Sequence, residues 1–201
     1  MTEAGGGRTA EVSRRTQETD VQVRICLDGR GLADVETGVG FLDHLLTALA
    51  RHARFDLRLR CSGDLHVDDH HTAEDCALTL GRALDLALGD RAGIGRFGSA
   101  YAPLDEALAR AVVDLSGRPF PVIDLGLRRE KLGNLACENI THVLQSLAFA
   151  SRASLHVHVL SGENDHHRAE AAFKATALAL RAAVARDGEA GVVPSTKGVL
   201  V

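Results

Sequence analysis

Residues 68–75 read DDHHTAED and residues 164–171 read NDHHRAEA. Each word sets two adjacent histidines three residues ahead of a glutamate. On a helix, side chains three or four positions apart share a face, while neighbours in sequence point about 100° apart. His70 and His71 can therefore each meet Glu74, but their rings diverge, and one metal ion is not expected to take both. Two ions resolve the conflict: each word gives one histidine to each site and its glutamate to one of them. His44, followed by LLTALA, and His142, followed by VLQSLA, hold matched positions and supply the remaining ligands. The set His44, His70, His71, Glu74, His142, His166, His167 and Glu170 then offers each ion three imidazoles and one carboxylate, with positions left open. That mix suits Mn²⁺, Fe²⁺, Zn²⁺ or Ni²⁺ better than Ca²⁺ or Mg²⁺.

A single word of this kind would carry little weight. Histidines are common at surfaces and in satisfied core positions, and helix N-termini attract acidic residues through the helix dipole. Neither point explains why six of the ten histidines fall at repeat-matched positions. His44 and His142 lie 98 residues apart, and His70 and His166 lie 96 apart, so one small length change separates two halves.

The elements that must position these residues repeat as well. Alternating and helical hydrophobic spacing predicts strands near 9–17 and 20–28, a helix over 41–53, a strand over 55–61 and a helix over 72–89 capped by Gly89. The second half predicts strands at 106–115 and 120–125, a helix at 137–151, a strand at 153–160 and a helix at 167–186. Each half reads strand–strand–helix–strand–helix, an α/β (α+β) unit duplicated about a pseudo-twofold axis. Residues 1–8 read as a disordered tail. Residues 9–201 read as one domain of two repeats, about 9–92 and 93–190, followed by a C-terminal segment 191–201.

Residues 93–98, GIGRFG, match a dinucleotide-binding fingerprint in letters only. That motif follows a strand and opens a helix, whereas here it follows a helix and leads into SAYAPLDEAL. What remains is a glycine-rich turn displaying Arg96. LSGRPF displays Arg118, and PSTKG offers Ser195, Thr196 and Lys197. Taken one by one these are ordinary loop groups. Beside a metal site they suggest a phosphorylated small substrate, gripped by guanidinium forks and an ammonium point charge.

Composition narrows the class. The chain has 201 residues, a net charge of −4 from 23 basic and 27 acidic residues, and no Trp. The mixed signs argue against a sequence-independent nucleic-acid binder. No run approaches the roughly 20 apolar residues that span a bilayer, so no membrane partner is expected. Cys26, Cys61, Cys76 and Cys137 show no CxxC spacing and read as reduced, largely buried thiols of a cytoplasmic protein. Small aliphatic residues must build the interior.

FLDHLLTALARH, DDHHTAED, RFG, APLDEAL, DLSGRP, GENDHHRAEAAFKA and PSTKGVL, in this order from about residue 9 to the C-terminus, resemble the imidazoleglycerol-phosphate dehydratase family in its single-function form. The resemblance implies two mixed four-stranded sheets with paired helices, two Mn²⁺ per active site, and shells of twenty-four subunits with sites at subunit interfaces. It places the eight residues above on the metal ligands. It groups His70, Glu74, His142 and His166 around one ion, and His44, His71, His167 and Glu170 around the other. It places His52, Arg96, Arg118, Lys174, Ser195 and Lys197 at the substrate phosphate, and Glu18 at a substrate-contacting carboxylate taken as the acid/base. The implied reaction is dehydration of D-erythro-imidazole glycerol phosphate to imidazole acetol phosphate in histidine biosynthesis, through a metal-bound imidazolate and a diazafulvene. Two other readings of the histidines stay open here. One is a dinuclear phosphoester hydrolase, which ordinarily uses carboxylate-bridged ions; the other is a metal-storage shell protein, which leaves the cationic loops without a role.

Overall fold

The computed structural model describes residues 7–186, 191–198 and 200. The first half runs β1 (Thr9–Arg15), β2 (Thr19–Cys26), β3 (Ala33–Glu36), α1 (Gly40–Ala53), β4 (Asp56–Gly63) and α2 (His70–Leu88). The second runs β5 (Phe97–Leu104), β6 (Ala107–Asp114), β7 (Phe120–Asp124), a small hairpin of β8 (Lys131–Leu132) and β9 (Leu135–Ala136), α3 (Cys137–Ala150), β10 (Ser154–Ser161) and α4 (Asp165–Val184). The sheets have the orders β1-β2-β4-β3 and β5-β6-β10-β7. Both are mixed: β3 runs parallel to β4 and β7 parallel to β10, and the other neighbours are antiparallel. One strand order drawn twice is the duplication in three dimensions.

Each four-stranded sheet holds one strand more than the hydrophobic pattern predicts, and the β8–β9 hairpin is a further unpredicted pair. β3 has only four residues, ADVE, half of them acidic. β5 carries Gly98 and Pro103, and as an edge strand it tolerates the proline. The segments 106–115 and 120–125 are consequently the second and third strands of their half, not the first and second. Thr19 opens β2 and Ala107 opens β6, 88 residues apart, against 98 for the matched histidines. The β8–β9 hairpin between β7 and α3 takes up this difference, so the halves differ by more than one small length change.

The four helices lie between the two sheets. α1 and α2 pack on the first sheet, α3 and α4 on the second, and the halves meet where α2 crosses α3 and α1 crosses α4. Inward positions of β2 are Val21, Val23 and Ile25, while Gln22 and Arg24 face out. On α4, seven alanines from Ala169 to Ala183 are buried, which lets backbone approach backbone. A Cβ at Gly98 would lie 1.9 Å from the Ala179 carbonyl oxygen. The glycine is thus there for sheet-to-helix contact, and GIGRFG leads into an antiparallel strand with no βαβ unit around it.

The outer faces of the two sheets differ. The first presents Arg24, Arg58, Arg60, Asp34 and Glu36, with Arg60 NH2 donating to both carboxylate oxygens of Asp34 at 2.6 Å. The second presents Phe97, Tyr101, Val112 and Phe120, exposed by 60%, 59%, 40% and 63%.

Residues 1–6 of the expected tail lie outside the described residues, but Arg8 is anchored. Its guanidinium donates to Asp28 Oδ1 at 2.6 Å and to the Val184 carbonyl at 2.7 Å. All four cysteines are free, Cys76 and Cys137 buried and the others half-buried. Among the described residues no helix is long and apolar enough to cross a membrane.

Candidate active site

The two histidine words begin two helices, and matched caps set them there. Asp68 Oδ1 accepts from the His70 N–H at 2.8 Å, and Asn164 Oδ1 accepts from the His166 N–H at 2.9 Å. Each word therefore lies in the first turns of α2 or α4, where its i and i+4 side chains share a face. His70 and Glu74 meet His142 from α3, with Glu74 Oε1 3.0 Å from His142 Nε2. His166 and Glu170 meet His44 from α1, with Glu170 Oε2 2.9 Å from His44 Nε2 and 3.2 Å from His166 Nε2. In each trio the ligating atoms lie within 4.8 Å of one another.

This grouping corrects the expected partition. Within one chain His166 stands with His44 and Glu170 rather than with the His70 group, and the two trios are images of one another under the repeat. His71 and His167 belong to neither trio, because residues adjacent on a helix diverge. Each is held by a carboxylate instead. His71 Nδ1 lies 3.0 Å from Asp64 Oδ2, and His167 Nδ1 lies 2.7 Å from Glu106 Oε2. A carboxylate only accepts at neutral pH, so each ring donates through Nδ1, and in its neutral form Nε2 carries the lone pair a metal would take. Asp64 raises the pKa of His71, and Glu106 does the same for His167.

Glu18 sits in the turn between β1 and β2, its carboxylate half exposed and 3.7 Å from His71 Nε2. The turn is fastened to α2: Thr19 Oγ1 donates to Asp75 Oδ2 at 2.5 Å, and Arg14 pairs with the same buried carboxylate. A cleft of about 290 Å³ runs beside it, lined by Glu18, Ser62, Asp64 and His66 among others.

Two of the expected phosphate groups stand beside a trio. Lys174, one turn along α4, pairs with Glu170 Oε1 at 2.7 Å. Burial acts to raise the pKa of Glu170, but hydrogen bonds from Lys174 and His44 outweigh it and hold the carboxyl at about 2. His52 on α1 lies in the same field, its pKa lowered by burial and then by Lys174. The other groups do not join them. Arg96 donates through Nε to Asp114 at 2.7 Å and through NH1 to the Pro194 carbonyl at 2.7 Å. Its backbone N–H reaches the Ala183 carbonyl, at the far end of α4 from His166 and Glu170, a separation of about 20 Å at 1.5 Å per residue. Arg118 is exposed nearby, as are Thr196 and Lys197, while Ser195 is half-buried in a turn whose hydroxyl accepts from the Lys197 N–H at 3.2 Å. Metal-type ligands and the arginine-bearing loops thus occupy opposite ends of one chain.

Sequence reading missed Asp64, Glu106 and Asn139, which lie outside the histidine words, and Asp75, which closes the first word but bonds to the β1–β2 turn. Glu106 could have been found by aligning β1 with β5, since it holds the place of Glu18 in the second half; the unread β5 hid that match.

The family model for imidazoleglycerol-phosphate dehydratase matches residues 37–180. The chain is 62% identical over 195 residues to an imidazoleglycerol-phosphate dehydratase of Phytophthora nicotianae, covering 97% of this chain and 43% of that longer protein. It is 56% identical over 193 residues to the Salinibacter ruber protein of the same name, covering 96% of each. Among solved structures, the Staphylococcus aureus dehydratase superposes with a TM-score of 0.80 at 33% identity, over 89% of this chain and 99% of that one. The Pyrococcus furiosus enzyme gives 0.79 at 38% identity, over 94% and 100%. With its duplicated sheets and its two matched trios of histidine and glutamate, the chain belongs to the imidazoleglycerol-phosphate dehydratase family of hydro-lyases.

Proposed function

We propose that the protein removes water from D-erythro-imidazole glycerol phosphate to give imidazole acetol phosphate, using two Mn²⁺ per active site in a cytoplasmic homo-oligomer. The observation that carries this reading is the pair of trios, His70–Glu74–His142 and His44–His166–Glu170. Two imidazoles and a carboxylate, close enough to share an ion, fit a divalent transition metal that needs further donors. His71 and His167, each donating through Nδ1 to a carboxylate, offer the further imidazole nitrogen such a site lacks, and they belong to neither trio of their own chain. A neighbouring copy is the natural recipient. The separation of Arg96 and Arg118 from the trios supports the same conclusion, since no single chain offers one small substrate both sets. The aromatic outer face of the second sheet supports association between copies, and a twenty-four-subunit shell is the assembly we expect.

When bound, the ions supply positive charge at the substrate ring nitrogens and so favour loss of the ring proton. The remaining work falls to side chains. Lys174 and His52, with Arg96, Arg118, Ser195, Thr196 and Lys197 from other copies, hold the phosphate and fix which carbon faces Glu18. Glu18 takes the proton from the carbon next to the one that loses its hydroxyl and passes it to the departing oxygen; the C–O bond breaks, water leaves, and the resulting enol becomes the ketone. Its half-exposed, unclamped carboxylate is suited to moving a proton.

Turnover by chelator-stripped protein, before and after Mn²⁺ is restored, tests the proposal. Ketone product should be absent from the first sample and present in the second. Absence from both, with metal demonstrably bound, would return the site to a hydrolytic or storage role.

A further inference from the structure

The two trios are images of each other, but their surroundings are not. His70 Nδ1 lies 2.8 Å from Asn139 Oδ1, and Asn139 is 3% exposed. The amide of Asn139 donates through Nδ2 to Asp69 Oδ2 at 3.0 Å, and the same oxygen accepts from the Ala136 N–H at 2.7 Å. Because Asp69 can only accept, Asn139 must present its carbonyl to His70. His70 therefore carries its proton on Nδ1 and offers Nε2 to a metal in a fixed orientation. At the matched position in the other half stands Phe41, 98 residues earlier. It packs edge-on against His166 at 5.0 Å between centroids, and among the described residues no hydrogen bond fixes His166 Nδ1. The carboxylates differ too. Among the described residues the only hydrogen bond to the Glu74 carboxylate is from His142, and the residue four positions on is Leu78; Glu170 is already paired with Lys174 at 2.7 Å.

From these differences we infer that the two metal sites are unequal and load in order. The His70–Glu74–His142 site is the tighter and fills first, with Asn139 as its positioning residue. The His44–His166–Glu170 site is the weaker, because a cation must approach a carboxylate that Lys174 already neutralises and a ring that hydrogen bonding does not orient. This rests on the metal-centre reading above. Losing an outer hydrogen-bond partner of a ligand ordinarily costs about 10–100-fold in affinity, and removing a like charge about 6 Å from a dication is worth on the order of tenfold.

The test is Mn²⁺ titration of the chelator-stripped full-length protein, with free ion counted by electron paramagnetic resonance and binding heat measured in parallel. Two classes of site, one ion each per chain, are expected. His142→Ala should delete the tighter class and His44→Ala the weaker. Lys174→Leu, which copies Leu78, should tighten the weaker class by about tenfold and leave the other unmoved. Asn139→Leu should loosen the tighter class; if this buried change prevents folding, Lys174→Leu decides alone. One class of two equal ions, the reverse assignment by the histidine variants, or an unmoved weaker class in Lys174→Leu overturns the inference while the metal centre stands. No uptake of Mn²⁺ by the wild-type protein removes the metal centre and the inference together.

Discussion

The turn between β1 and β2 and the turn between β5 and β6 occupy the same place in two copies of one unit, yet their carboxylates have separate fates. Glu106 is clamped. The N–H of Asn164, the ring of His167 and the N–H of Glu163 converge on it and hold its pKa at about 2. Glu18 reaches its histidine at only 3.7 Å, and the orienting task at His71 passes to Asp64. The repeat supplies two equivalent acids; one is a fixed support for a histidine, and the other is left unclamped, as the proton transfer proposed above requires. Symmetry in this fold is a starting point from which roles are divided.

That division can be broken most sharply at the two glutamates. Glu18→Gln should lower kcat by about 10²–10⁴, the usual contribution of a positioned acid or base, with Mn²⁺ content unchanged. Near-normal turnover would take Glu18 out of the chemistry. Glu106→Gln should act through His167 instead: apparent Mn²⁺ affinity falls by about 10–100-fold and activity returns at saturating metal. Asp64→Asn should reproduce that phenotype through His71, so a kcat loss in either variant that excess Mn²⁺ does not repair would contradict the assignment.

The smallest effect concerns the paired arginines that precede each first strand. Arg96 donates to Asp114 and to the Pro194 carbonyl, and its counterpart Arg8 donates to Asp28. The Arg8 side-chain hydrogen bond is the largest influence on Asp28 and outweighs burial, holding its pKa at about 2, below the ordinary carboxylate range. A carboxyl with a depressed folded-state pKa stabilises fully above its unfolded pKa and loses that contribution as pH falls toward the folded value. Asp28→Asn should therefore cost about 1 kcal/mol or less at pH 7, as partly exposed ion pairs do. Between about pH 4 and 2 the gap to wild type should close. Denaturant titrations at both ends of that range measure the gap, and a pH-independent difference would show that the ion pair is not its source.

Much of this arrangement was legible in the sequence. The histidine words, their 96-residue spacing and the helices that follow them were plain because helical periodicity is written in adjacent residues, but both helices begin two residues earlier than that periodicity predicts and so take in the histidines. The two edge elements were not: β3 is short and acidic, and β5 is interrupted by glycine and proline, so neither carries the alternation that marks a strand. The division of ligands also lay beyond the sequence. Which histidine of a pair faces which helix depends on the crossing of α1 with α4 and α2 with α3, and no local spacing encodes that. The orienting groups Asp64, Asn139 and Glu106 act across 7, 69 and 61 residues, distances at which only the folded chain brings partners together.

Those helix crossings have an ancestral consequence. Each trio takes one histidine from one half and its His-x-x-x-Glu pair from the other. A chain of half the length would carry both parts, yet the parts would belong to different trios, and alone it would close neither. Two such chains about a twofold axis close both. The present protein is thus a symmetric dimer made covalent. Fusion through the segment between α2 and β5 replaced a bimolecular encounter with a tethered one, at an effective concentration on the order of millimolar. It also released the two copies of every residue to evolve apart.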